Sequence, residues 1–439
     1  MTSRECAVVK SLFFRFSLPL LLLASASHSL RAQNAAPTKE AAGAVNAFGA
    51  SLHHTLAKQS GNLLTSPWSL QNALAMTYAG AAGETWAEMN RTLFYGRDEA
   101  ALHTSFKALR EALETKGNDN VPKILRSANR VYVDKKFPLI PDWLKLTRVK
   151  YAAEGQPIDF ANAPEKAAGE INAWVDKQTE GKIPVIIPPG GLDALTKMVL
   201  VNAVYFDFPW EEQFTKSLTQ DQRFYLAQGK FKTVPLMFKQ HKIGYARKNG
   251  FQIAALPYAG GEMQFVVLLP DRGDGLDALE KQISPELLAE CSRLTLEEVR
   301  LSLPRIKLDL PLVEISKTLE SMGMKRAFNG QAEFSRMTPK QVSIAYVFHK
   351  TFLELDENGT KAAAASAVVI RPKNGAPREI PHQIVKADHP FLFLIQHIPS
   401  GACLFIGRMA DPAPRIKEET ATEATEPLET GGSRGKPKS

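Results

Sequence analysis

The reactive side chains of this sequence are not arranged as an active site. No G-x-S-x-G, H-E-x-x-H, Walker or G-x-G-x-x-G motif is present. The nine histidines are scattered, and the adjacent pair His53-His54 would point in different directions on a helix, so we expect surface residues there. Cys6, Cys291 and Cys403 lack the spacing of zinc ligands. The sequence therefore argues against an enzyme and predicts no metal site and no cofactor.

The stretch from Asp356 to Asn374 is the most informative part of the chain. A strand-like run, Tyr346 to Leu355, leads into it, and Gly359 would let the backbone turn. When residues 360–371 are read with the period of a strand, their two charged residues, Lys361 and Arg371, fall on one parity. The other parity is uncharged and mostly small: Thr360, Ala362, Ala364, Ser366, Val368 and Ile370. The segment can thus be an exposed loop in one state and a strand with one buried face in another. Pro372 cannot donate to a strand ladder and should end that strand.

The two ends of the chain differ from its middle. Arg4, Lys10 and Arg15 precede or enter an apolar run that ends in Ala24-Ser25-Ala26, which predicts a signal peptide over residues 1–26, with cleavage as late as residue 32 as the alternative. Residues 27–40 would form a linker. Residues 413–439 are rich in Glu, Thr, Gly, Pro and Lys and predict a disordered tail. We therefore expect a secreted protein, extracellular or periplasmic, with one folded unit at 41–412.

Composition narrows the classes of partner. Of the 439 residues, 44% are hydrophobic and 23% charged, which is typical of a soluble globular protein. The net charge of +8 is not interleaved with aromatic residues as nucleic-acid binding would require. The first apolar run is too short to span a bilayer, and no second run reaches that length. We expect no nucleic-acid or membrane partner, and two buried free thiols at Cys291 and Cys403.

The secondary-structure pattern must position the stretch after Tyr346. Helical periodicity dominates the first half and strand-like runs the second, without βαβ alternation, which predicts an α+β fold with large mixed sheets. Met198 to Phe206 is a continuous apolar run, typical of a strand buried on both faces. Leu276 to Leu294 is predicted as one helix, and Val299 to Leu308 as one strand.

These residues resemble a known family, the serpins (serine-protease inhibitors). One segment is similar to the hinge of inhibitory members: Glu357, Asn358, Gly359, Thr360, Lys361, Ala362, Ala363, Ala364, Ala365 and Ser366. Further similar motifs occur in family order: Asn62 to Ser69, Ala79-Gly80 with Gly83-Glu84-Thr85, Asn202 to Phe206, Leu256-Pro257-Tyr258, Leu268-Leu269-Pro270, Ala387 to Phe391 and Phe405 to Arg408. The resemblance implies a single serpin-like domain of three β-sheets with surrounding helices and an exposed reactive centre loop at about 357–388.

Two hinge residues depart from the family pattern. The family usually has an acid where this chain has Asn358 and Lys361. Lys361 lies on the charged parity, which would face solvent after insertion, so we expect it to be tolerated. The loop beyond Lys373 is also longer than in many members.

The resemblance implies a suicide-substrate mechanism, in which a protease attacks the loop and is trapped as its acyl-enzyme when the loop inserts into a sheet. Insertion of the reactive loop as an extra strand is a known property of serpins, and it is the family likeness that brings it to this chain. Family spacing from Glu357 places the attacked bond at Lys373-Asn374, with Arg378 and Arg371 as alternatives. A basic residue there favours a trypsin-like serine protease, with a cysteine protease as the alternative target.

The resemblance also assigns a buried polar network and an aromatic residue. Ser66, Ser69, Asn202 and His349 match the family's shutter, beneath the point where the sheet opens, and Trp210 matches its breach. On residue type alone, Ser66 could simply cap a helix and His349 could be a core histidine. We expect a monomeric inhibitor, and the alternative function is a non-inhibitory serpin that acts as a carrier, chaperone or storage protein.

Overall fold

The computed structural model describes residues 37–114, 124–153, 155–360 and 382–412. The predicted signal peptide, most of the linker and the tail therefore lie outside the described residues. The helices are α1 (Lys39–Leu56), α2 (Pro67–Gly80), α3 (Gly83–Thr92), α4 (Glu99–Leu113), α5 (Pro141–Tyr151), α6 (Pro164–Gln178), α7 (Leu276–Glu280), α8 (Pro285–Glu290) and α9 (Ser316–Met322).

Strands dominate the second half of the chain, and the predicted α+β class is confirmed. They are β1 (Leu63–Thr65), β2 (Ile124–Asp134), β3 (Gly155–Ile158), β4 (Met198–Pro209), β5 (Gln220–Tyr225), β6 (Phe231–Lys248), β7 (Phe251–Pro257), β8 (Met263–Pro270), β9 (Thr295–Pro304), β10 (Ile306–Asp309), β11 (Val313–Glu314), β12 (Tyr346–Leu355), β13 (Gly359–Thr360), β14 (Gln383–Lys386), β15 (Phe391–His397) and β16 (Ala402–Met409).

A seven-stranded sheet carries the segment that the sequence singled out. Its order is β10-β12-β13-β4-β2-β3, with β11 beside β12. β12 and β4 pair directly and in parallel, from Tyr346 opposite Val199 to Phe352 opposite Tyr205. Beyond that seam the two-residue β13 lies between them, antiparallel to both. The chain therefore begins to form an extra strand at one end of the seam.

The described strands form two hydrogen-bonded sheets, whereas three were expected. The second sheet has nine strands because the 18-residue β6 belongs to both of its parts. The first residues of β6 pair with β5 and its middle with β9, while its last residues pair with β7. One continuous strand thus joins what would otherwise be two separate sheets.

The seven-stranded sheet is covered on both faces, which explains the uninterrupted apolar run in β4. On one face, Ile171 and Val175 of α6 pack in one cluster with Val199 of β4 and Phe348 of β12. Side chains of α2 and of β4's opposite parity, such as Leu200, belong to the larger core cluster. Every residue of β4 except Asp207 is buried, and burial on two faces removes the alternation that a half-exposed strand would show.

Two predicted elements are interrupted by proline. The single helix expected at 276–294 is split into α7 and α8, because Ser284 caps α8 and Pro285 occupies its first turn. The single strand expected at 299–308 divides after Pro304 into β9 and β10, which belong to different sheets. Proline has no backbone N–H, so Pro285 cannot donate a helical hydrogen bond and Pro304 cannot donate to a strand ladder. The folded part also begins slightly earlier than expected, since α1 starts at Lys39.

Candidate functional site

The first residues of the hinge are buried in the seven-stranded sheet. Thr360 pairs with Phe208 of β4 and with Leu355 of β12, and its side chain has no exposed surface. Its hydroxyl lies 2.7 Å from the hydroxyl of Tyr258. Burial raises the pKa of Tyr258, so this phenol remains neutral and can share a hydrogen bond with Thr360. The site accepts a small, uncharged side chain.

Gly359 occupies a position that other residues would strain. Its φ of +148° lies in the region that L side chains rarely adopt, and a Cβ would lie 2.3 Å from the carbonyl oxygen of Phe208. Glycine here allows β13 to approach β4 closely. The turn predicted from its missing Cβ is thus a close backbone contact as well.

Glu357 anchors the chain just before β13. Its side chain is 2% exposed and accepts hydrogen bonds from Arg305, whose nearest nitrogen lies 2.8 Å away, and from Thr219 at 2.6 Å. Burial raises the pKa of Glu357, but the hydrogen bonds from Arg305 and Thr219 outweigh it and hold the pKa below its ordinary value. The carboxylate is therefore charged, paired and fixed in place.

Trp210 holds the base of the same segment through its indole and its backbone. Its Nε1 donates to the carbonyl of Asp356 at 2.9 Å, and its backbone N–H donates to the carbonyl of Asn358 at 3.0 Å. The indole stacks on Tyr258 with ring centroids 4.7 Å apart. Trp210, assigned to the breach by resemblance, thus contacts both the hinge and the residue that contacts Thr360.

The four residues assigned to the shutter come together at the seam between β4 and β12. His349 and Asn202 are register partners on these strands, and His349 Nδ1 lies 2.5 Å from Asn202 Oδ1. The backbone N–H of Ser66 donates to His349 Nε2 at 3.1 Å. Asn202 Nδ2 donates to Ser69 Oγ at 2.6 Å. One connected polar network therefore crosses the seam and reaches the start of α2.

His349 must be neutral in this network. It is completely buried, and burial lowers its pKa to about 3. Because Nε2 accepts the N–H of Ser66, the proton lies on Nδ1, which donates to Asn202. Ser66 does cap α2 by accepting from the N–H of Ser69, and its hydroxyl also donates to the carbonyl of Leu404. The capping and network interpretations of Ser66 both hold.

Four residues that contribute to this site were not identified from the sequence. Asn129 and Ser127 of β2 extend the shutter network through Ser69 and Asn202. The available signal for Asn129 was its position as a polar residue in the strand-like run Ala128 to Val133. Arg305 and Thr219, which hold Glu357, lie in connecting segments whose sequence carries no comparable signal.

The rest of the predicted loop lies outside the described residues. This applies to Lys361, Ala362, Ala363, Ala364, Ala365 and Ser366 of the hinge, and to Lys373, Asn374, Arg371 and Arg378 at the candidate bonds. Their roles stay predictions. Thr360, the last described residue before this range, pairs in the seven-stranded sheet, and β14, the first described strand after it, pairs with β9 of the other sheet.

Cys291, Cys403 and His53, which the sequence analysis considered for chemistry, are buried in the fold. Cys291 and Cys403 are both buried and free, and burial raises the pKa of Cys291 to about 12. The surface position expected for His53 is wrong: α1 turns this side chain inward, where its Nε2 lies 3.2 Å from a carboxylate oxygen of Glu280. Across the described ranges, no cluster of His, Cys, Asp or Glu could hold a metal ion, and no helix is long and apolar enough to cross a membrane.

Comparison with known proteins gives one consistent result. A relative named leukocyte elastase inhibitor, from Bos taurus, is 36% identical over 377 residues, covering 83% of this chain and 97% of the relative. Serpin B6 from Pongo abelii is 38% identical over 373 residues, with the same coverages. The crystal structure of Serpin48, a highly specific serpin of the insect Tenebrio molitor, matches with a TM-score of 0.75 and 28% identity, covering 84% of this chain and 97% of that one.

Another solved structure, uncleaved ovalbumin, matches with a TM-score of 0.74 at 28% identity, covering 84% of this chain and 99% of that one. A family model described as Serpin (serine protease inhibitor) matches residues 43–412. These matches extend over nearly all of the described fold, including the hinge, the seam and the shutter network. The chain therefore belongs to the serpin family of serine protease inhibitors and is not an enzyme.

Proposed function

We propose that this serpin is a secreted suicide-substrate inhibitor of a trypsin-like protease. The protease's serine would attack the carbonyl carbon of Lys373, forming an ester and releasing the amine of Asn374. The loop would then insert between β4 and β12 before water hydrolyses the ester. The observation that carries this proposal is the placement of Thr360, which already lies between these two strands.

The parity of the loop supports continued insertion from Thr360. Side chains two residues apart on a strand share a face, so Ala362, Ala364 and Ser366 would follow Thr360 toward its buried side. All are small and uncharged. Lys361 and Arg371 would face the opposite side of the sheet. Neither charge would therefore be buried on the face that Thr360 occupies.

The residue at the attacked bond sets the expected target class. Lys373 would enter a primary pocket that contains an acid, as in trypsin-like enzymes. Relatives named as elastase inhibitors support a serine protease as partner but do not decide this residue. Arg378 and Arg371 are the alternative attacked residues, and a cysteine protease is the alternative partner.

Export is the second part of the proposal. The charged start, apolar run and Ala24-Ser25-Ala26 support removal of residues 1–26 and action outside the cytoplasm. Sequencing the N-terminus of the secreted protein tests this point. A new N-terminus at Ser27, or as late as Gln33, is expected, whereas retention of Met1 would contradict it.

The central test is incubation with trypsin. We expect a covalent complex that survives boiling in detergent and a released fragment that begins at Asn374. Thr360→Arg is the matched control. It does not change the residues at the attacked bond, but it introduces a large charged side chain at a position with no exposed surface. This variant should be cleaved without forming the complex.

Two outcomes would redirect the proposal. If the unaltered protein is cleaved while trypsin keeps full activity, a non-inhibitory role as carrier, chaperone or storage protein becomes the better conclusion. If the complex forms but the fragment begins after Arg371 or Arg378, the mechanism stands and the attacked bond is reassigned.

A further inference from the structure

A cleft of about 680 Å³ lies where α1 ends, beside α7 and the end of β16. Its lining combines a buried ion pair with exposed lysines. Arg408 is 4% exposed and Glu280 is 6% exposed, and their nearest side-chain atoms lie 3.1 Å apart. None of the residues discussed for the hinge or the shutter lines this cleft.

The floor of the cleft is electrically balanced. Arg408 donates to the carbonyls of Ala57, Gln59 and Gly61 at the C-terminal end of α1, and to Glu280. These contacts satisfy backbone acceptors that the end of a helix leaves open. The charges and hydrogen-bonding groups of the floor are therefore paired with one another, and little net charge remains there to attract a ligand.

The rim carries the surplus charge. Lys58 and Lys281 are both exposed, and within the part of the chain that the structure describes neither amine has an ion-pair partner. Asp277 is the exposed acid on this rim. Two cations against one acid leave a net positive opening above a neutral floor, which favours an anionic occupant.

The chain itself passes beside this opening on its way to the C-terminus. The side chain of Asn62 accepts from the N–H groups of Ala410 and Asp411 at 2.8 and 2.9 Å and donates to the carbonyl of Asp411 at 2.7 Å. Asn62 directly follows the turn, residues 57–61, that forms one wall of the cleft. Pro412 is the last described residue, so the next segment starts close to that wall.

That segment has the complementary charge. Residues 418–429 contain Glu418, Glu419, Glu423, Glu426 and Glu429, and no lysine or arginine. The five residues from 413 to 417 can extend about 17 Å, which is enough to cross a turn and reach an adjacent opening.

We propose that this cleft binds the acidic part of the chain's own C-terminal segment, residues 418–429, through ion pairs from Lys58 and Lys281. Exposed ion pairs are individually weak, about 0–1 kcal/mol each. A short covalent connection raises the local concentration of the segment into roughly the millimolar range, so several weak pairs can hold it. The contact would tie the end of α1 and α7 to the chain after β16, and it is independent of the protease-inhibitor function.

Zero-length carbodiimide cross-linking of the full chain, read by peptide mass spectrometry, tests this contact. The expected products join Lys58 or Lys281 to a glutamate within 418–429, and their yield falls several-fold as salt is raised. The ion pair between Lys135 and Asp159, whose atoms lie 2.6 Å apart, provides an internal positive control. The segment should cross-link to the two rim lysines in clear excess over other exposed lysines.

Variants decide between a specific and a random contact. Lys58→Gln with Lys281→Gln should abolish the preferred cross-links without an equal gain at other lysines, while Lys166→Gln with Lys317→Gln should change nothing. Uniform cross-linking to all exposed lysines, or none while Lys135-Asp159 cross-links, would overturn the proposal. So would cross-links between isotopically distinct copies in a mixed sample, because the occupant would then be a second chain.

Discussion

His349 and Asn202 lie opposite each other on β12 and β4, and the hydrogen bond between their side chains crosses the seam. A strand inserted between β4 and β12 has to separate them. The remaining contacts of the network run to Ser66 and Ser69 at the start of α2 and to Asn129 and Ser127 of β2. The network thus joins β4 and β12 across the seam, and opening the seam would break the hydrogen bond between His349 and Asn202.

The first prediction concerns the pH dependence of stability. His349 has a folded-state pKa of about 3, below its ordinary value, so its contribution to stability is fully present above about pH 6.5 and is lost as pH falls toward 3. The midpoint of urea unfolding should therefore fall to lower urea concentration as pH falls from about 7.5 to 5. The free energy of unfolding should decrease by about 1 kcal/mol per pH unit because of this group.

Two substitutions separate the histidines responsible. His349→Gln should reduce that slope by the share of one proton. His397→Gln should reduce the slope by a similar share, because burial also lowers the pKa of His397, to about 4, outside the shutter network. The double variant should then lose both shares. If the slope of His349→Gln equals that of the unaltered protein, His349 is not the buried neutral group inferred above.

At the scale of elements, β13 is only two residues long, yet it pairs with both β12 and β4. It is held by close backbone approach at Gly359, by the hydroxyl pair of Thr360 and Tyr258, and by Glu357 just before it. Each contact constrains a different atom, so Gly359 and Thr360 have a well-defined position between β4 and β12.

The second prediction is that Gly359→Ala displaces β13. The added methyl would collide with the backbone of β4 and would hold a φ of +148°, so we expect a loss of about 1–3 kcal/mol or withdrawal of Thr360 from the sheet. Fluorescence of Trp210, whose indole donates to Asp356, should report the change.

Gly250→Ala provides the comparison for that substitution. Gly250 also has a positive φ, +89°, but nothing lies within 4 Å of an added Cβ. Its cost should be smaller and should leave Trp210 fluorescence unchanged. Equal effects of the two variants would show that backbone strain alone, and not contact with β4, explains Gly359.

A second element-level feature is the connection between α6 and the segment that follows it. Asn172 of α6 accepts from the N–H groups of Ile186 and Ile187 and donates to the carbonyl of Ile187, all within 2.8–2.9 Å. Both isoleucines are buried in the cluster that also contains Phe348 and Phe352 of β12. The helix and this segment therefore cover the seam as one body.

The third prediction is that Asn172→Ala loosens this cover. Two buried N–H groups would lose their acceptor, at a cost of about 1–3 kcal/mol. Hydrogen exchange at Ile186 and Ile187 should become roughly tenfold to a hundredfold faster. Asn162→Ala, which removes exposed side-chain hydrogen bonds to Asp159, should leave those two amides unchanged. Unchanged exchange in Asn172→Ala would contradict the assigned role.

At the scale of the whole molecule, the parallel seam between β4 and β12 is what insertion would replace. β13 is antiparallel to both neighbours, so a longer strand in its place would be antiparallel to both as well. One direct pairing would become two, and each antiparallel pairing is slightly more stable per residue than a parallel one. Insertion would therefore add strand pairing to the described state.

The fourth prediction follows from that gain. Cleavage of the loop should raise the melting temperature by at least about 10 °C, because several kcal/mol of new strand pairing shift the midpoint by a few degrees each. The measurement is differential scanning calorimetry before and after limited proteolysis. Thr360→Arg should be cleaved with little or no rise, and an equal melting temperature in the cleaved unaltered protein would exclude insertion.

Much of the fold and site could be predicted without coordinates, and the failures have identifiable causes. Apolar periodicity located most helices and strands, since buried positions require apolar residues. The helix expected at 276–294 and the strand expected at 299–308 were wrong because Pro285 and Pro304 interrupt them. His53 was misplaced because the direction of a helical side chain depends on which face of α1 meets the core.

By itself, the sequence determined which side chains could serve an inserting strand: a glycine, a threonine and an uncharged parity, followed by prolines. Residue type and spacing decide these properties locally. Only the tertiary structure decided that Thr360 lies between β4 and β12, that Arg305 and Thr219 hold Glu357, and that Asn129 joins the shutter. Those contacts join residues far apart in the chain, so they depend on strand register and packing, which no local pattern encodes.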